Sequence, residues 1–199
     1  MNNKTSKMVK LAVLAALGAT LIFFIRFPII PSAPFLEYEP GDVAALIGSF
    51  MYGPAAGLTV TIIMAFIQAL TVSSGSGWVG FIMHIISTGT LVTVAGFLYL
   101  RNRTYKGAII GLIAGTLSMI AVMIPANLFF TVHFWGMPAE TVKNMIVPAL
   151  IPFNLIKGAV NSTITVLVYK TIAGILREPK IKKKGLERKN VLGDNSTSS

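Results

Sequence analysis

The residues able to do chemistry in this chain are few, and most lie in two short stretches. Glu37, Glu39 and Asp42 place three carboxylates in the six residues Glu37-Tyr38-Glu39-Pro40-Gly41-Asp42, out of only seven Asp and Glu in all. Asn154 and Lys157, in Pro152-Phe153-Asn154-Leu155-Ile156-Lys157-Gly158, stand three positions apart, which puts an amide and an ammonium on one helix face. An ammonium only donates hydrogen bonds, a carboxylate only accepts, and an amide does both. The set suits either of two tasks. Asp42 caps a helix, Pro40-Gly41 makes a turn, and Lys157 staples the loop by pairing with Glu37, Glu39 or Asp42. Alternatively, Lys157 and Asn154 bind a polar small molecule beneath the acidic loop. Asn127, just after Pro125, is a candidate for the same pocket. Gln68 and Asn161 read as hydrogen-bonding glue between helices.

Catalysis has little to work with. The chain has no cysteine and only two histidines, His84 and His133, far apart in sequence. There is no Walker A stretch, and no His-Glu-x-x-His or Asp-x-x-Asp pair on an apolar segment. His84 is expected as a polar group satisfied within a bundle. No catalytic residue and no metal ligand is assigned, so an enzyme is not expected. A small membrane enzyme acting on a lipid or prenyl substrate would need an acid–base pair or a metal cluster.

The elements that position these residues are membrane-grade. Of 199 residues 54% are hydrophobic and 12% charged, about half the charged share of a soluble domain. Six apolar runs stand out, at about residues 8–25, 41–51, 55–72, 78–100, 106–130 and 147–176. The expected fold is therefore all-α, a polytopic membrane protein with six transmembrane helices, forming one domain over residues 1–176. The second run is short for a spanning helix, which takes about 20 residues; it ends at Tyr52-Gly53-Pro54. The link between the first two runs carries Pro28, Pro31, Pro34 and Pro40 and is expected to fold back onto the bundle. Lys4, Lys7 and Lys10, before the uninterrupted apolar stretch from Leu11 to Ile25, resemble the start of a signal peptide. No clear Ala-x-Ala site follows, so a retained first helix is expected.

With six runs, both termini share a side. That side collects Lys4, Lys7, Lys10, Arg101, Arg103, Lys106, Lys170 and the basic residues from Arg177 to Lys189, together fourteen of the seventeen Lys and Arg. The positive-inside rule makes that side cytoplasmic and the acidic loop external. The net charge of +10 is thereby explained without nucleic acid. Residues 177–199 read as a basic, disordered cytoplasmic tail. Phe35, Tyr38, Trp78, Phe81, Phe129, Phe130, Phe134 and Trp135 crowd the outer side, as an interfacial belt or as walls for a flat ligand. Ala12 with Ala16, and Ala15 with Ala19, repeat small residues at a spacing that lets another helix approach.

Three features together carry a resemblance. They are Phe35-Leu36-Glu37-Tyr38-Glu39-Pro40-Gly41-Asp42-Val43 with Tyr52-Gly53-Pro54-Ala55-Ala56-Gly57, then Asn154-Leu155-Ile156-Lys157-Gly158, and the alanines of the first run. Over residues 8–176 the chain resembles the substrate-binding S components of energy-coupling factor (ECF) transporters, above all the riboflavin-specific RibU group. The resemblance implies six helices with cytoplasmic termini, in a prokaryotic cell membrane. It implies a vitamin bound from outside beneath the first loop, as transported ligand and not as cofactor. Asn154, Lys157 and Asn127 would contact it, with Leu36, Glu39 and Asp42 from the loop. Ala12, Ala15, Ala16 and Ala19 would dock on a transmembrane T component served by two ATPases. Riboflavin joins a flat ring with an imide edge to a polyol tail. Lysine and amide can serve its carbonyls, and loop carboxylates its hydroxyls. Flavin mononucleotide (FMN) is the related ligand whose binding the residues leave open. Glu37 departs from the pattern, which has a basic or neutral residue there. Thiamine, folate, biotin and pantothenate are the alternative vitamins within the family.

Overall fold

A chain this apolar must satisfy its backbone internally, and it does so with helices. The computed structural model describes residues 3–176. The chain divides into two compact units, Met1–Leu167 and Val168–Ser199, and the residues of interest lie in the first. The expected basic tail, residues 177–199, lies outside the described residues.

The helices are α1 (Asn3–Phe24), α2 (Asp42–Tyr52), α3 (Pro54–Leu70), α4 (Gly77–Arg101), α5 (Tyr105–His133), α6 (Ala139–Met145) and α7 (Ile151–Leu176). All six apolar runs appear as helices. By length and composition four are able to cross a membrane, namely Lys4–Phe24, Ser74–Arg101, Tyr105–His133 and Ala139–Tyr169. The other two, α2 and α3, are shorter, at 11 and 17 residues. Large apolar side chains face outward, among them Phe24, Phe66, Ile113, Leu117 and Leu167, as a bilayer-facing surface requires. The stretch 131–144, which lies between the last two apolar runs, is partly helical. α5 continues to His133, and α6 forms behind Pro138 with Glu140 in its first turn and a Glu140–Lys143 pair at 3.4 Å. A π-helical turn, Ile146–Leu150, joins α6 to α7.

The break between α2 and α3 is sharp. Gly53 has φ of +95°, and Pro54 begins α3. That φ suits only glycine, and proline is at home in a first helical turn. Four residues later the two helices nearly touch: a Cβ on Gly57 would lie 2.6 Å from Ser49 Cβ and 2.9 Å from the Ala45 carbonyl. Ser49 in turn donates to the Val92 carbonyl on α4 at 2.7 Å. α4 also packs along α5, where Gly111 and Gly115 lie against Ala95 and Leu91.

The link after α1 folds back as expected. Phe27–Pro28 (β1) and Glu37–Tyr38 (β2) pair antiparallel, Phe27 opposite Tyr38 and Pro28 opposite Glu37. Between them run two tight turns, closed by Ala33 N–H to Ile30 O at 3.0 Å and Leu36 N–H to Ala33 O at 2.9 Å. Ala33 and Leu36 are buried against Ala149, Leu150 and Phe153. The link is thus a packed cover seated on the π-helical turn and the start of α7.

Gly57→Val should wedge α2 from α3, since overpacking typically costs about 1–3 kcal/mol. The expected outcome is a melting temperature in detergent several degrees below wild type, read by thermal unfolding; an unchanged midpoint would show that the contact yields freely.

Candidate functional site

The site is built around a buried ammonium. Lys157 is 4% exposed on α7, and a charge so placed must be paired. Its Nζ lies 3.4 Å from Asp42 Oδ2 and 3.7 Å from Glu39 Oε1. Asp42 is fully buried at the start of α2, where the helix dipole also favours a negative charge. Its carboxylate does not cap the helix, as the sequence had suggested. It accepts instead from Thr88 Oγ1 at 2.8 Å and Asn161 Nδ2 at 3.2 Å. Of the two tasks open to Lys157, stapling the loop is therefore realised, with Glu39 and Asp42 as partners. Glu37 pairs elsewhere, with Arg26.

Further side chains complete the staple. Tyr38 donates its hydroxyl to Asn161 Oδ1 at 2.9 Å, and Asn161 Nδ2 reaches the Glu39 carbonyl at 3.3 Å. Gln68 Nε2 donates to Glu39 Oε2 at 2.8 Å and to Ser73 Oγ at 3.1 Å. His84 Nδ1 lies 3.2 Å from Glu39 Oε1, and its Nε2 faces Asp42 Oδ1 at 3.7 Å. Sequence reasoning had given Gln68 and Asn161 to helix–helix contacts and His84 to the bundle interior. All three anchor the loop, and Asn161 also joins two helices, α7 to Asp42 of α2. The one available signal was their polarity within apolar runs.

Above this network opens a cavity, about 800 Å³ with its open mouth included. Of the expected site residues, Asn154, Lys157, Asn127, Leu36 and Glu39 line it. Asp42 is not among the lining residues; it acts beneath, on Lys157. The aromatic residues divide. Phe35, Phe81 and Trp135 line the cavity with Phe153, Phe35 and Trp135 meeting edge-on at 5.9 Å. Trp78, Phe129 and Phe134 face outward, with Trp78 and Phe134 in contact at 4.7 Å.

The polar groups facing the cavity keep unused capacity. Lys157 has three N–H donors and two carboxylate neighbours. Asn154 donates to the Leu150 carbonyl at 2.8 Å, but its Oδ1 is buried with no partner. Asn154 follows the π-helical turn Ile146–Leu150 closely, and π-turns recur at functional sites. Asn127 is turned toward its own helix, donating to Met123 O at 2.8 Å and accepting from Thr131 at 3.3 Å. Gly158 lets α7 lie against Thr116 of α5, where any Cβ would collide. A buried acceptor without a partner costs about 1–3 kcal/mol, which a ligand N–H or O–H would recover.

The alanines of α1 part company. Ala12 and Ala16 are exposed, Ala19 is half-buried, and Ala15 is 1% exposed and faces the bundle. Only the Ala12–Ala16 pair is open to a partner helix, beside exposed Val9, Val13 and Leu17.

Burial alone would raise the pKa of Glu39. The His84 hydrogen bond, the Lys157 and His84 charges and the Gln68 hydrogen bond outweigh it and bring the carboxyl down to about 2. A pKa depressed below its unfolded value stabilises the fold above that value, and the gain is lost as pH falls through the folded one. Stability should therefore fall between pH 4.5 and about 2, measured as detergent melting temperature against pH. Glu39→Gln should start lower at neutral pH and show a flatter acid limb; an unaltered limb would remove Glu39 from the network.

Comparison with known proteins places this architecture. The family model for the ECF transporter, substrate-specific component, matches residues 6–169. The Staphylococcus aureus riboflavin transporter RibU is 31% identical, over 87% of this chain and 94% of the relative. The Bacillus subtilis riboflavin transporter FmnP is 27% identical, over 83% of this chain and 91% of the relative. A solved S component of a bacterial ECF transporter superposes with TM-score 0.78 at 31% identity, covering 88% of this chain and 100% of its own. These relatives are transport components and not enzymes, and the apolar helices agree with life in a membrane. The chain belongs to the family of substrate-specific components of ECF transporters.

Proposed function

We propose that this chain is the riboflavin-binding S component of an ECF vitamin transporter, and that it takes its ligand from outside the cell. The observation that carries the reading is one cavity faced by a buried lysine, two buried amides and aromatic walls. The riboflavin transporters among its relatives, alike over most of their length, supply the choice of vitamin. Phe35, Phe81, Trp135 and Phe153 would enclose the ring. Asn154 Oδ1 would accept the imide N–H, and the remaining Lys157 proton would reach an adjacent carbonyl. Leu36 and Glu39 would border the ligand from the loop, while Asp42 holds Lys157 in place. Riboflavin is here cargo and not cofactor.

The proposal includes six crossings with both termini in the cytoplasm, supported by the Lys and Arg bias. α2 and α3, which are short, would cross within the shelter of their neighbours. The Ala12–Ala16 face of α1 would meet the transmembrane T component, and two cytoplasmic ATPases would drive transport.

Riboflavin fluorescence titrated with the purified chain should be quenched on binding, and Asn154→Ala should weaken binding by about tenfold, the worth of one good hydrogen bond in a dry site. Lack of quenching would overturn the riboflavin reading; wild-type affinity in Asn154→Ala would remove that residue from the site. Ala16→Trp should keep riboflavin binding in detergent and lose uptake in cells, and normal uptake would remove the docking face.

A further inference from the structure

Resting on that reading, we infer that the cavity is charge-selective for the unphosphorylated flavin, and that Glu37 sets the selectivity by occupying Arg26.

The charged groups around the cavity form two tiers. The inner tier is Lys157 with Glu39 and Asp42, all buried. The outer tier is Arg26, paired with Glu37 and donating to the Val72 carbonyl. Both line the cavity, and their side chains keep 20% and 30% exposure against 6% and 7% for Lys157 and Glu39. Arg26 and Glu37 therefore stand at the wet mouth. Two permanent cations face three carboxylates. His84, the remaining titratable group facing the cavity, lies against Glu39 and Asp42. No cation among the described cavity residues is left over for an added anion.

A ring buried beside Lys157 leaves the end of the ribityl tail nearest the mouth. A 5′-phosphate there carries a charge of about −1.5 to −2 at neutral pH. It would meet the Glu37 carboxylate directly, and a guanidinium already committed. Like charge at close range is costly, and Arg26 cannot serve phosphate and carboxylate bidentately at once. A neutral polyol meets neither penalty.

The test is a paired titration of the full chain in detergent with riboflavin and with FMN, read by quenching of flavin fluorescence. Wild type should bind riboflavin at least about tenfold more tightly than FMN, equal to about 1.4 kcal/mol. Glu37→Gln frees Arg26 and should narrow that ratio about tenfold through tighter FMN binding; riboflavin binding in the same sample shows that the variant is folded. Arg26→Gln added to Glu37→Gln should abolish the gain. Equal wild-type affinities, an unchanged ratio in Glu37→Gln, or a gain that survives loss of Arg26 would each overturn the inference while leaving the riboflavin reading intact. Binding of neither flavin would overturn both.

Discussion

The structure depends on a lysine where lipid forbids one. Lys157 lies on an apolar helix with 4% exposure, and an unpaired ammonium there would cost several kcal/mol. Its counter-charges cannot come from α7, which carries no acid among its described residues. They come from Glu39 and Asp42, more than a hundred residues earlier. That requirement draws the first loop over α7 and fixes the start of α2. The loop's backbone is then held by Asn161, and its turns bury Ala33 and Leu36 on the π-helical turn. One electrostatic demand thus determines where the cover of the cavity sits.

The same demand explains how a cavity persists in the bundle. Side chains that serve the ion pairs are fixed from below and from the flanks: Thr88 and His84 on α4, Gln68 on α3, Asn161 on α7. Each is engaged with the loop or with Asp42 at the start of α2, and is not free to collapse into the space above. Amides that face the space satisfy their N–H groups on their own helices, at Leu150 and Met123. The pocket is therefore preorganised, and little ordering is left for a ligand to impose, which favours tight binding without chemistry.

Much of this was legible in the sequence. Apolar runs located six helices, because burial in lipid leaves little doubt about segment length. Tyr52-Gly53-Pro54 located the break between α2 and α3, because glycine with positive φ followed by proline has few other uses. The Asn154–Lys157 spacing and the acidic loop pointed to the site. What stayed hidden is non-local. The partners of the loop are up to 123 positions away, and no periodicity records that Asn161 bonds Tyr38 of the loop as well as Asp42 of α2. His84 and Gln68 looked like isolated polar residues because the carboxylate that unites them lies on another element. α6 was hidden by its shortness and by a polar sequence that reads equally as loop. Ala15 and Ala16 are adjacent in sequence, and only the packing of α1 shows that one faces inward and the other out.

The two tiers of charge have different physical standing. The inner pairs are dry, hydrogen-bonded and mutually dependent, so removing any member strands another in a low-dielectric interior. They are bound to the fold, and substitutions there act on stability as much as on ligand. The outer pair is partly wet, where an ion pair contributes about 0–1 kcal/mol to folding. Arg26 and Glu37 can therefore change with little cost to the fold. Stability is vested in the buried tier, which leaves the rim open to variation in what the cavity admits.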